Sequence, residues 1–221
     1  MSLIKPHGSD ELNPLFVYDT AKNEALQKEA EGLASIVVSS ATAANAVMLG
    51  GGYFNPLTGY MNKADALSVA NNMKTTSGLF WPTPVLNLVK NAGSIKAGDR
   101  IALKDPNVEG NPVLAVMDVK AVEEFSDADM ALISEKVYRP KPPEAHPGVD
   151  AFNAQGKVCL SGPIKVLNFS YFSSEFPDTF RTAVEIRNEI AERGWKKVVA
   201  FQTRNPMHLA HEELCHMAMK R

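Results

Sequence analysis

The chain has 221 residues, 45% of them hydrophobic and 22% charged, with a formal net charge of −2. That is the balance of an ordinary globular protein of one or two domains. No apolar run approaches the roughly 20 residues that cross a bilayer, so no membrane partner is expected. The near-neutral charge speaks against a nucleic-acid binder that works by neutralising backbone phosphates.

The N-terminus, Met1 to His7, lacks the apolar centre of a signal peptide. Cys159 and Cys215 have neither metal nor redox spacing. Both are expected to be free thiols in a reducing compartment, which points to the cytoplasm.

From Met1 to Val166 the pattern is β-rich. Short apolar runs recur at 36–38, 85–89, 100–103, 113–117, 158–160 and 164–167. Turn chemistry separates them at 91–93, 104–107, 109–112 and Ser161-Gly162-Pro163. Many short strands with frequent turns predict a compact barrel-like domain. Helices are predicted near 39–48 and 62–72, with a third near 127–134 capped by Ser126 or Asp127.

The run Leu49 to Tyr53 holds three glycines but lacks the lysine and hydroxyl of a Walker loop. These glycines are expected to end a helix. Residues 139–143 read as an exposed proline-rich loop. His146 to Val149 reads as a turn packed against the other domain.

From Leu167 the pattern changes, which predicts domains at 1–166 and 167–221. Residues 177–193 read as an amphipathic helix with apolar Phe180, Val184, Ile186 and Ile190, stopped by Gly194. Lys196 to Phe201 reads as a buried strand, and a helix follows from His208 to Met219. Helix, strand, turn, helix is how a Rossmann-like α/β domain opens. The expected class is therefore α/β, or α+β overall.

The turn between that strand and helix carries Gln202, Thr203, Arg204, Asn205, His208 and His211. Each can donate a hydrogen bond to an oxyanion. A helix start adds free N–H groups and partial positive charge. Pro206 suits a first helical turn. Two histidines three apart fall about 60° from each other on a helix, so both can face one ligand. His216 lies five beyond His211, roughly 140° around, and cannot complete a zinc motif with it. No metal is assigned to the protein side chains. Glu212 and Glu213 complement the helix dipole and carry no catalytic role.

The segment Gln202-Thr-Arg-Asn-Pro-x-His-x-x-His211 resembles the ATP sulfurylase (sulfate adenylyltransferase) family. Similar segments occur in family order at 4–8, 55–61, 81–85, 98–103, 144–149 and 193–195, so the likeness covers nearly the whole chain. It implies a PUA-like β-barrel followed by the start of a nucleotidyltransferase domain. It implies reaction of ATP, carried with Mg2+, and sulfate to give adenylyl sulfate and pyrophosphate, or the reverse.

Carried over, Gln202 and Arg204 bind sulfate. Thr203 and Asn205 position sulfate and the ATP phosphates. His208 and His211 stabilise phosphate charge in the transition state. All six count as ATP-binding, and Thr203, Arg204, Asn205, His208 and His211 as catalytic. A homo-oligomer is expected of the full-length enzyme.

The family also has a second, Gly-Arg-Asp type phosphate loop, which does not occur between Met1 and Arg221. The chain alone is therefore expected to be inactive or nearly so. Two alternatives are a different His-x-x-His nucleotidyltransferase acting on a phosphate ester and a PUA-like RNA-binding module. Gln202 and Arg204 weigh against the first, and the net charge and lack of a basic, aromatic-laced stripe against the second.

Overall fold

A computed structural model describes residues 3–139 and 146–220. Its contacts divide the chain into two compact units, one over residues 4–185 and a smaller one from Ile186 onward.

The first unit is built on a curled sheet. In chain order it contains α1 (Thr20–Glu31), β1 (Ala34–Val37), α2 (Ser40–Gly50), β2 (Gly59–Tyr60), α3 (Lys63–Asn72), β3 (Leu88–Val89), β4 (Arg100–Lys104), β5 (Val113–Asp118) and β6 (Ala121–Glu124). Then come α4 (Asp127–Ile133), a π-helix (Ser134–Tyr138), α5 (Pro147–Ala154), β7 (Val158–Val166) and the short α6 (Phe172–Glu175).

The strand order is β1-β4-β5-β7-β2, with β3 and β6 also paired to β7. The nine residues of β7 serve two sets of partners. Its first half pairs with β3 and β6, and its second half with β5 and β2. One strand shared in this way curls the sheet around a core that includes Leu88, Ile101, Leu103, Leu114, Met117, Phe125 and Leu160, all nearly or fully buried.

Where β7 changes partners lies Ser161-Gly162-Pro163, which the sequence reads as a turn. The strand instead runs straight through. Gly162 adopts φ 145°, and a Cβ there would lie 2.2 Å from the Asp118 carbonyl oxygen. Lys120 donates its N–H to the Ser161 carbonyl at 2.8 Å. The residues that signal a turn here let two strands approach more closely than side chains allow.

The helices at 40–50, 63–72 and 127–133 form where expected. Ser126, not Asp127, caps α4, in a reciprocal box with Asp129. The glycines after Leu49 end α2 as expected, with Gly51 as its cap and Gly52 at φ 82°.

α1 and α5 lack a sequence forecast, as do the short α6 and the π-helix. α1 is mostly polar, with only Asn23 and Ala30 buried, so it shows little apolar periodicity. It is fixed by its Asp19 cap and by Asn23, whose amide donates to the carbonyls of Val17 and Leu167. α5 replaces the turn expected at 146–149. The His146 ring accepts the Gly148 N–H at 3.0 Å and Pro147 takes the first helical position. Of the expected loop at 139–143, only Arg139 lies within the described residues. It closes the π-helix at φ 45°.

Residues 167–185 pack with the first unit. Phe169 stacks on Phe16 at 4.5 Å, and Thr182 is almost fully buried. The predicted helix at 177–193 begins only at Ala183 (α7, Ala183–Glu192). Thr182 sets that start: its N–H and hydroxyl donate to Glu185, whose own N–H donates back to the Thr182 hydroxyl. Gly194 at φ 63° stops it as expected.

In the second unit the strand predicted at 196–201 does not form. A strand is a paired object, and among the described residues this stretch has no partner strand. Its apolar side chains are exposed, Val199 to 69%. α8 (Leu209–Met219) follows.

Candidate active site

The turn from Gln202 to His211 sits at the start of α8, in the second unit. The helix begins at Leu209, one residue later than predicted. His208 is its extended N-cap, at φ −135° and ψ 173°. Pro206 therefore lies ahead of the helix, outside its first turn. An angular spacing of 60° does not apply to a residue outside the helix.

The two imidazoles nevertheless converge. Their ring centroids are 4.0 Å apart at 35°. The His208 N–H points to His211 Nδ1 at 3.4 Å, which turns the second ring back toward the helix start. Phe201 meets the His211 ring edge-on at 5.4 Å and limits its rotation. Phe201 is a supporting residue absent from the sequence-derived set. Its only signal was its place as the last apolar residue before the polar turn.

Thr203 and Asn205 form a second pair. The Thr203 hydroxyl accepts the Asn205 N–H at 3.1 Å and donates to the Asn205 carbonyl at 3.0 Å. It shapes the turn, as hydroxyl residues do. In this conformation its proton is committed to the backbone and not to a ligand.

Gln202 and Arg204 are exposed, with no side-chain partner among the described residues. Their amide and guanidinium donors face solvent. Arg204 makes no hydrogen bond or cation–π contact with either imidazole.

The backbone adds to this set. The N–H groups of His211 and Glu212 both return to the His208 carbonyl, at 2.8 and 3.1 Å. Those of Leu209 and Ala210 remain as the open donors of the helix start. Amide, guanidinium, imidazole and backbone donors with no carboxylate among them can hold anions and have little to offer a hard cation. Among the described residues no group of three or more His, Cys, Asp or Glu could hold a metal ion. His216 instead leans toward Glu213, at 3.8 Å.

Two families match the chain. The PUA-like domain family matches residues 4–169, and the ATP-sulfurylase family matches residues 177–221, which contain the whole turn. The chain belongs to the PUA-like domain family over residues 4–169, and its last stretch is similar to the ATP-sulfurylase family.

It is 65% identical over 218 residues to the sulfate adenylyltransferase of Allochromatium vinosum, covering 99% of this chain and 55% of that protein. It is 61% identical over 220 residues to the sulfate adenylyltransferase of Alcanivorax borkumensis, again covering 55% of the relative. The chain thus spans about half the length of the curated relatives it matches. Among solved structures it resembles the hexameric APS kinase from Thiobacillus denitrificans, with a TM-score of 0.74 and 26% identity, over 99% of this chain and 37% of that one. No helix among the described residues is long and apolar enough to cross a membrane.

Proposed function

We propose that this chain is part of an ATP sulfurylase and supplies the anion-binding turn of a sulfate adenylyltransferase. The observation that carries the reading is the convergence of His208 and His211, 4.0 Å apart, at a helix start flanked by the open donors of Gln202 and Arg204. The names of the relatives at 59–65% identity agree with it.

In the proposed reaction a sulfate oxygen attacks the α-phosphorus of MgATP. The new bond joins sulfate to the α-phosphoryl group, the bond to the β-phosphate bridging oxygen breaks, and pyrophosphate leaves. The products are adenylyl sulfate and pyrophosphate, and the reverse reaction makes ATP. Sulfate is fully ionised at neutral pH, so no general base is required. That suits a turn rich in donors and lacking a carboxylate.

Gln202 and Arg204 hold sulfate. Asn205 positions the phosphates within a turn shaped by Thr203. His208 and His211 lie against charge that develops on the phosphates. Mg2+ enters with ATP as part of the substrate, since these donors do not match a hard cation. We further propose a cytoplasmic location, which two free cysteines support, and a homo-oligomer, the state named for the hexameric kinase.

The test is ATP formation from adenylyl sulfate and pyrophosphate. A polypeptide of the relatives' length carrying this sequence is expected to turn over, and the 221-residue chain to be inactive or nearly so. Every donor of the turn except His211 is largely exposed, so this piece does not exclude water from the reacting groups. Failure of the longer polypeptide to consume adenylyl sulfate, with activity on a phosphate-ester acceptor instead, would overturn the reading.

A further inference from the structure

A cleft of about 780 Å³ opens in the first unit, walled by α4, the π-helix and α5. Small-molecule sites run from about 300 to 1,000 Å³, so the size suits a ligand. Its walls are fixed. The Ser126–Asp129 box closes the start of α4. The Phe125 N–H donates to the Lys157 carbonyl at 2.8 Å. Tyr138 of the π-helix packs against His146 at 5.2 Å and Phe152 at 6.3 Å, both from the α5 side.

The floor and rim differ in chemistry. Met130, Ala131 and Val149 give an apolar surface, and Lys136, Arg139 and Lys157 bring three cations. Two of these are matched locally: Lys136 pairs with Glu135 at 3.0 Å, and Lys157 pairs with Asp127. Arg139 has no ion-pair partner among the described residues, so the rim keeps one unmatched positive charge. Ser134 also lines the cleft. It is 7% exposed, and its hydroxyl makes no hydrogen bond. The wall that carries Ser134 is a π-helix, a rare element that recurs at functional sites.

We propose that this cleft binds a small organic anion, a phosphate or sulfate ester carried on an apolar body. The anionic head lies against Arg139, flanked by Lys136 and Lys157, and the body rests on Met130, Ala131 and Val149. The site is separate in sequence from the turn at 202–211 and does not depend on the function proposed for it.

The test is calorimetric titration of the 221-residue chain with 1-naphthyl phosphate. Saturable one-to-one binding is expected, with 1-naphthol alone and inorganic phosphate alone each weaker by about tenfold or more. Arg139→Asn removes the guanidinium while tolerating the positive φ, and should weaken the ester by about tenfold. Ala131→Trp, at an exposed helix position, should fill the cleft and abolish binding while circular dichroism stays unchanged. Arg204→Lys should leave the titration as it was. Binding that follows Arg204, or that survives both Arg139→Asn and Ala131→Trp, would overturn the proposal.

Discussion

Asp129 ties one wall of that cleft to the rest of the first unit, and its contribution can be worked out. Its carboxylate accepts from Lys63 Nζ at 2.7 Å, from the Ser126 hydroxyl at 2.7 Å and from the Ser126 N–H at 2.8 Å. Lys63 first, then the Ser126 hydroxyl and N–H, hold it at about 2 against an ordinary 3.8. At 1.36 kcal/mol for each pKa unit, that gap corresponds to ~2.4 kcal/mol. The side chain keeps 20% of its exposure and Lys63 keeps 30%, so solvent screening reduces the figure to about 1 kcal/mol.

The sign follows from the lowered pKa. The charged form is favoured by folding, so the contribution is complete above about pH 5 and is lost as pH falls through 3.8 toward 2. Asp129→Asn keeps the shape and loses the charge. Urea unfolding should show the variant about 1 kcal/mol less stable at pH 7, with roughly half that difference at pH 3. A difference that stays constant from pH 7 to pH 3 would refute the charge argument and leave only a packing effect.

Four further outcomes are expected. In a polypeptide of the relatives' length, Arg204→Lys should cost ~2–4 kcal/mol of transition-state stabilisation in sulfate use, because an ammonium lacks the planar fork. His208→Asn and His211→Asn should lower turnover with less effect on apparent sulfate affinity. Steady-state kinetics with sulfate varied at saturating MgATP separate the two, and near-normal sulfate kinetics for Arg204→Lys would remove sulfate from that side chain.

For the thiols, Cys215 is partly exposed, while burial, with Glu123 adding to it, pushes the Cys159 thiol up to about 12. Disulfide-exchange titration at pH 8 should find one reactive thiol in the native chain and two after denaturation. Two fast thiols in the native state would contradict the burial of Cys159. Gly162→Ala should destabilise the first unit by ~3 kcal/mol or more, since its Cβ would meet the Asp118 carbonyl at 2.2 Å. An unchanged urea midpoint would show that β7 can shift without cost.

The sequence by itself determined what is decided within a few residues. Ser126 caps a helix where a polar residue precedes a helical run, and Gly194 ends one by its backbone freedom, as Gly52 does just past the Gly51 cap. The donor set from Gln202 to His211 was legible for the same reason, since its chemistry belongs to the residue types and their order. The tertiary structure decided what depends on a distant partner. Ser161-Gly162-Pro163 signals a turn locally, yet it lies inside β7 because β2, β5 and β6 require close approach there. α1 has almost no apolar face and stands because Asn23 reaches Leu167, 144 residues away. The run from Lys196 to Phe201 has the composition of a buried strand, yet it forms no strand among the described residues. Side-chain pattern can favour extended backbone, but the hydrogen bonds that make a strand come from another segment, and a local pattern carries no record of whether that segment lies alongside.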